Sequence, residues 1–151
     1  MKDRIHEQMT SDMKQGVRTD TIVVIVTIFL NLLFLGINSG VAGSIREYDY
    51  SMSGTETISI NAAAIAILVI LMALVVLINF VVLRILSRGK ERRAKLMAGL
   101  LKMYKEEDME QYYDPSIDRG YDARYNLFSV VVVSLGSVAI LVPILVSATG
   151  C

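Results

Sequence analysis

Three apolar stretches dominate the pattern of hydrophobic and polar positions along the chain. No Asp, Glu, Lys, Arg or His occurs in residues 21–45, 57–83 or 125–151. The middle stretch contains the run AAAIAILVILMALVVLINFVVL at residues 62–83, which at 1.5 Å per residue forms a helix of about 33 Å. That length matches the hydrocarbon core of a bilayer. The pattern predicts an all-α integral membrane protein with three transmembrane helices.

The predicted segments alternate between apolar and polar along the chain. Transmembrane helices are predicted at residues 21–41, 61–83 and 125–148. The polar segments are an N-terminal segment at residues 1–20, a loop at 42–60, a charged segment at 84–124 and a C-terminus at 149–151. The N-terminal segment carries apolar residues at every fourth position from Ile5 to Val17, as on one face of a short amphipathic helix. A solvated tail is the alternative.

Basic residues after the second apolar stretch predict the orientation of the chain. Residues 84–105 contain eight Lys or Arg and one acid, whereas residues 106–124 contain seven acids and two Lys or Arg. Flanks rich in Lys and Arg stay on the cytoplasmic side of a membrane. We therefore expect the N-terminus and residues 84–124 in the cytoplasm, and the 42–60 loop and the C-terminus outside, in a cytoplasmic or plasma membrane.

The basic cluster of the charged segment is a candidate site for lipid headgroups, because each Lys or Arg near an anionic surface adds about 1 kcal/mol of attraction. The alternative is that these charges only set the topology. A further hypothesis is that the acids at every fourth position from Glu106 to Asp122 contact the basic cluster of the same or a neighbouring copy. The candidate headgroup residues are Arg84, Arg88, Lys90, Arg92, Arg93 and Lys95.

Small and polar residues within the apolar stretches are candidates for helix packing. Glycines or alanines four residues apart let two helix backbones approach closely, although helix termination accounts for the two glycines of the first stretch equally well. An amide in hydrocarbon needs a partner, so Asn31 is predicted to pack helices rather than to line a path. The predicted packing residues are Asn31, Gly36, Gly40, Ala62, Ala66, Ala73, Ser129 and Gly136.

Composition argues against several kinds of chemistry within one copy. His6 and Cys151 are the only histidine and the only cysteine, so we expect no zinc site rich in His or Cys and no haem held by two histidines. The apolar stretches offer no acid, base or histidine at depth, where intramembrane enzymes and proton-coupled carriers need them. The net charge of zero predicts no nucleic-acid partner. We therefore expect no catalysis, no cofactor and no metal, and the sequence identifies no small-molecule substrate.

Two functional hypotheses remain. The first is a non-catalytic membrane subunit that acts in assembly or scaffolding of a homo- or hetero-oligomeric complex, with lipids and itself or other membrane subunits as partners. The alternative is a homo-oligomeric ion channel or pore. The candidate pore-lining residues are Asn31, Ser129, Ser134 and Ser137.

Overall fold

The computed structural model describes residues 2–50, 56–106 and 116–149. These residues form five elements, which in chain order are the helix α1, the strands β1 and β2, and the helices α2 and α3. Their bounds are Lys2–Gly43 for α1, Arg46–Tyr50 for β1, Glu56–Ile60 for β2, Ala62–Glu106 for α2 and Ser116–Thr149 for α3.

Within the described residues, three helices are long and apolar enough to cross a membrane. The predicted all-α class with three spans is confirmed, and the chain is an integral membrane protein. Helix α1 runs without a break through the N-terminal segment and the first apolar stretch. Helix α2 likewise continues from the second apolar stretch into the basic cluster. Of the acids recurring every fourth position, Glu110 and Asp114 lie outside the described residues.

Each helix buries one narrow face and exposes the rest. Buried positions recur at intervals of three and four residues, the spacing of helices that pack side by side. Large apolar side chains elsewhere are exposed, among them Phe29 at 67% and Ile70 at 67%, as expected for surfaces that contact lipid tails. The buried residues include Val24, Thr27, Asn31, Asn38 and Ala42 of α1, Leu68, Val75, Asn79, Val82 and Leu86 of α2, and Tyr125, Val132, Ala139 and Pro143 of α3.

The chain forms two compact units, each containing parts of all three helices. The first unit comprises Met1–Val26 and Val81–Val131, and the second comprises Thr27–Phe80 and Val132–Cys151. The first unit contains the charged residues of the N-terminal segment and of the basic cluster, and the second contains the hairpin.

Strands β1 and β2 form an antiparallel hairpin within the predicted 42–60 loop, which the sequence analysis did not anticipate. Arg46 lies opposite Ile60 in the ladder. The hairpin leads directly into α2, because the Asn61 N–H donates to the Ile45 carbonyl at 2.8 Å and Asn61 Oδ1 accepts from the Ala64 N–H at 3.1 Å. Asn61 thereby supplies the capping contact typical of a helix N-terminus.

The hairpin also contacts the C-terminal end of α3. The Arg46 guanidinium donates a hydrogen bond to the carbonyl of Ala148 at 3.1 Å. The last carbonyls of a helix have no partner within it and carry partial negative charge. A cationic donor at this position therefore stabilises the end of α3 and connects it to β1.

Candidate functional site

Asn31 of α1 and Asn79 of α2 form a reciprocal amide pair in the second unit. Asn31 Nδ2 donates to Asn79 Oδ1 at 3.0 Å, and Asn79 Nδ2 donates to Asn31 Oδ1 at 2.9 Å. Each nitrogen also donates to the carbonyl one turn back on its own helix, Thr27 at 3.1 Å and Val75 at 2.8 Å. Both amides are buried. The pair joins two helices and satisfies all four amide N–H groups, as an apolar environment requires.

Gly136 of α3 lies directly against this pair. A Cβ atom built on Gly136 would come within 2.9 Å of Asn79 Cγ and Nδ2 and within 3.2 Å of its Oδ1. Atoms do not approach a real Cβ so closely, so only glycine fits here without displacing the amide. Gly136, one of the predicted packing residues, therefore contacts the same amide that pairs with Asn31.

Asn38 contacts α3 at the point where Pro143 interrupts its hydrogen bonding. Proline has no N–H, so Pro143 leaves the carbonyl four residues earlier, that of Ala139, without its usual helical partner. Asn38 Nδ2 donates to that carbonyl at 3.5 Å, and Asn38 and Pro143 are both fully buried. Asn38 thus partly replaces the bond that the proline removes. Asn38 Oδ1 has no hydrogen-bond partner in the described part of the chain.

Asp20 of α1 connects the three helices in the first unit. The Tyr125 hydroxyl of α3 donates to Asp20 Oδ2, and both residues are buried, with exposed fractions of 6% and 4%. Gly89 of α2 faces the same carboxylate, because a Cβ built there would lie 3.0 Å from both Asp20 oxygens. Asp20 immediately precedes the first charge-free stretch, so it is held at one end of the apolar part of α1.

Further polar contacts join the charged part of α2 to its neighbours in the first unit. Lys90 Nζ lies 3.2 Å from Asp122 Oδ1 of α3, which is one contact of the hypothesised kind between the acidic positions and the basic cluster. His6 Nε2 and the Tyr104 hydroxyl are 2.8 Å apart. The only histidine of the chain thus contacts α2.

Within α2, Lys95 Nζ donates to Glu91 Oε1 at 2.7 Å. This hydrogen bond and the charge of Lys95 hold the pKa of the Glu91 carboxyl below its ordinary value. Both side chains are exposed, so the pair contributes little to stability.

A cavity of about 370 Å³ lies between α1 and α2 in the first unit. Arg88, Arg92 and Arg93 contribute basic side chains to its lining, and Asp12 and Asp20 contribute acidic ones. Three of the six candidate headgroup residues therefore face one cavity. Of the other three, Arg84 and Lys95 are exposed and Lys90 is half-buried.

Most of the predicted packing and pore-lining residues lie away from the buried faces. Gly36 and Gly40 of α1 are exposed, and a Cβ built on either would meet no atom within 4 Å. Ser129 is half-buried. Asn31 and Gly136 are thus the predicted residues that the fold brings together. The remaining exposed ones are Ala62, Ala66 and Ala73 of α2 and Ser134 and Ser137 of α3.

Among the described residues, no group of three or more His, Cys, Asp or Glu side chains is arranged to hold a metal ion. Comparison of the chain with protein-family models, with curated proteins and with solved structures finds no match. The described arrangement contains hydrogen bonds, ion pairs and close helix contacts.

Sequence reasoning missed the roles of Asp20, Asn38 and Asn79. The signal for the first two was present in the spacing, because Asp20, Thr27, Asn31 and Asn38 follow one another at intervals of seven, four and seven residues. Such intervals put polar residues on one face of a helix. Asn79 carried no comparable signal, because it stands alone in its apolar run, with no other polar residue at helical spacing within residues 62–83.

Proposed function

We propose that this protein is a non-catalytic membrane subunit that assembles with copies of itself or with other membrane proteins through the outward faces of its helices. The observation that carries the proposal is the position of Gly36 and Gly40. Their spacing permits close helix packing, yet each lies exposed with open space where a side chain would be. Glycine in a helix interior costs about 1 kcal/mol relative to alanine, and no contact within the described chain uses the space that these two glycines leave.

The alanines of α2 support the same conclusion. Three alanines on one face of α2 are exposed, whereas Ala64 on the opposite face is buried. The exposed ones are Ala62, Ala66 and Ala73. Lipid tails fill gaps beside alanine and leucine alike, so small residues on an outward face give lipid contact no advantage. They do allow another helix to come close, where packing and weak hydrogen bonds drive association in membranes.

The proposal is tested by the oligomeric state of the full chain in lipid nanodiscs or mild detergent, measured by light scattering together with identification of copurified subunits. We expect the wild-type chain to form an oligomer or to retain a partner, and the variant Gly36→Leu with Gly40→Leu to lose it while keeping its helix content. The matched control is Ile25→Phe, which adds bulk to an exposed position of α1 elsewhere. A wild-type chain that is monomeric and retains no partner would refute the proposal.

A homo-oligomeric pore is the second candidate. Ser134 and Ser137 favour it, because both lie on the exposed side of α3 within a charge-free stretch, where an assembly can bring them to a common axis. Asn31 contributes less to this candidate, because its amide is already paired with Asn79. Ion flux through liposomes containing the oligomer separates the two functions. Flux that Ser134→Leu abolishes would favour the pore over the scaffold.

A further inference from the structure

The geometry points to a binding site for the phosphate of an anionic lipid headgroup in the cavity between α1 and α2 of the first unit. The site uses the guanidinium groups of Arg88 and Arg92 as its phosphate-binding groups. It does not depend on the proposed assembly role, because one chain contains all of its residues.

The depth of the cavity matches the headgroup layer of a membrane. Its lining includes Thr19 and Asp20, immediately before one charge-free stretch, and Tyr125, the first residue of another. On α2, Arg88 follows Leu83, the last residue of the charge-free stretch, by five positions, a rise of about 7.5 Å along a helix. The headgroup region on each side of the hydrocarbon core is about 5–8 Å thick. Arg88 therefore lies at the level of the lipid phosphates.

The size and charge of the cavity suit a headgroup. A volume of about 370 Å³ falls within the range of small-ligand sites. A second, more open depression of about 470 Å³ shares Arg88, Arg92 and Leu96 with it and adds Lys95 together with Glu91. Basic pockets between membrane helices are a recurrent means of binding anionic lipids. Arginine suits this role because its planar guanidinium matches two phosphate oxygens at once.

The two arginines differ in what competes for them. Arg92 Nη2 lies 3.8 Å from Asp12 Oδ2, with an exposed side-chain fraction of 74%, so this ion pair is long and solvated. Arg88 takes part in none of the ion pairs within the described residues. The second acid of the lining, Asp20, accepts a hydrogen bond from Tyr125. Both guanidinium groups are exposed to solvent, so a phosphate can reach them. Asp12 competes with it for Arg92, and Glu91, which lies within electrostatic reach of Arg88, competes for Arg88.

The test measures binding of a fluorescent phosphatidic acid to the full chain in phosphatidylcholine nanodiscs. At about 1 M salt the Debye length is only about 3 Å, so diffuse attraction is suppressed. We expect Arg88→Gln and Arg92→Gln each to lower the affinity about 10-fold, because a charge-assisted hydrogen bond to the phosphate is a direct contact that persists at this salt concentration. The matched control is Arg18→Gln, which removes the same charge from an exposed position of α1 close to the same depth but outside the cavity lining. It should change the affinity by less than about 2-fold.

Two further arms make the test decisive. Asp12→Asn removes the competing carboxylate, so it should raise the affinity about 3- to 5-fold. A purely structural role for the Asp12 and Arg92 pair predicts no increase, so an unchanged or lower affinity would overturn the site. Equal losses in Arg18→Gln and Arg88→Gln would also overturn it, because they would indicate diffuse surface charge.

Inorganic phosphate, added as a competitor, should not displace the labelled lipid; if it did, the ligand would be a soluble phosphate and the lipid assignment would be wrong.

Discussion

The contact of Gly136 with the amide pair makes a strong prediction for Gly136→Ala. The added Cβ would lie 2.9 Å from two atoms of Asn79, so either α3 or the amide must move. The amide cannot retreat freely, because it bonds Asn31 twice and its own helix once. Moving it breaks the two interhelical bonds. Moving α3 instead loosens its packing on the neighbouring helices.

The expected magnitude follows from these contacts. Overfilling a packed site costs about 1–3 kcal/mol, and each interhelical hydrogen bond in a membrane is worth about 0.6 kcal/mol. Alanine regains about 1 kcal/mol of helix propensity over glycine. We therefore expect Gly136→Ala to lower the free energy of unfolding by about 1–3 kcal/mol.

The assay is reversible unfolding of the purified chain in mixed micelles, carried out as a double-mutant cycle with Asn79→Ala. In the Asn79→Ala background the obstructing amide is gone, so Gly136→Ala should cost nothing further or slightly stabilise the chain. Gly36→Ala is the matched control, because its Cβ meets no atom within 4 Å and unfolding of the monomer should not be impaired. A Gly136→Ala chain as stable as wild type, or one equally destabilised in both backgrounds, would refute the reasoning.

Three other predictions follow from single contacts. Asn38→Leu should cost about 0.6 kcal/mol less in a Pro143→Ala background than in wild type, because alanine restores the N–H that the proline lacks; equal costs in a double-mutant unfolding cycle would contradict this. The pKa of the Glu91 carboxyl should lie below its ordinary value because Lys95 donates a hydrogen bond to it, and Lys95→Gln should raise this pKa in a carboxyl NMR titration. Because the pKa of Glu91 is lowered on folding, its small stabilisation is present above the unfolded value and disappears as the pH falls through the folded one. Tyr125→Phe removes the donor to the buried carboxylate of α1 and should cost about 1–3 kcal/mol in the same unfolding assay, whereas an unchanged stability would mean that the carboxylate finds another donor.

The three spans could be predicted because lipid imposes a simple requirement: a long charge-free run must be helical to satisfy its backbone. The hairpin was missed although TISI at residues 57–60 alternates polar and apolar residues after a Gly- and Ser-containing segment. That alternation is typical of a strand. It covers only four residues of a short polar connection, which fits a loop equally well. Helix α2 extends beyond the predicted transmembrane helix at its C-terminal end, to Glu106. Charged residues such as Arg92 and Lys95 are good helix formers, so the helix continues past the apolar stretch.

The candidate site was harder to predict because partner choice depends on contacts between helices that are distant in sequence. Gly136 and Gly36 look equivalent in the chain, each a small residue in an apolar run, yet only Gly136 meets a neighbouring side chain. Spacing indicates that close packing is allowed, and does not indicate which neighbour uses it. The same limit applies to Arg88 and Arg18, two arginines near the ends of apolar stretches, of which only Arg88 lines the cavity.

In both units α1 is the helix that fixes which neighbours pack together. Lipid tails are as apolar as leucine, so apolar burial alone gives membrane helices little preference among partners or registers. In the first unit, Asp20 of α1 contacts Tyr125 of α3 and lies against Gly89 of α2. In the second unit, Asn31 binds α2 and Asn38 binds α3. Because an unpaired polar group is costly in hydrocarbon, a shift of α1 by one residue would lose these contacts together. The polar residues of α1 thus select its neighbours within each unit, whereas Gly36 and Gly40, on the opposite face of α1, are exposed.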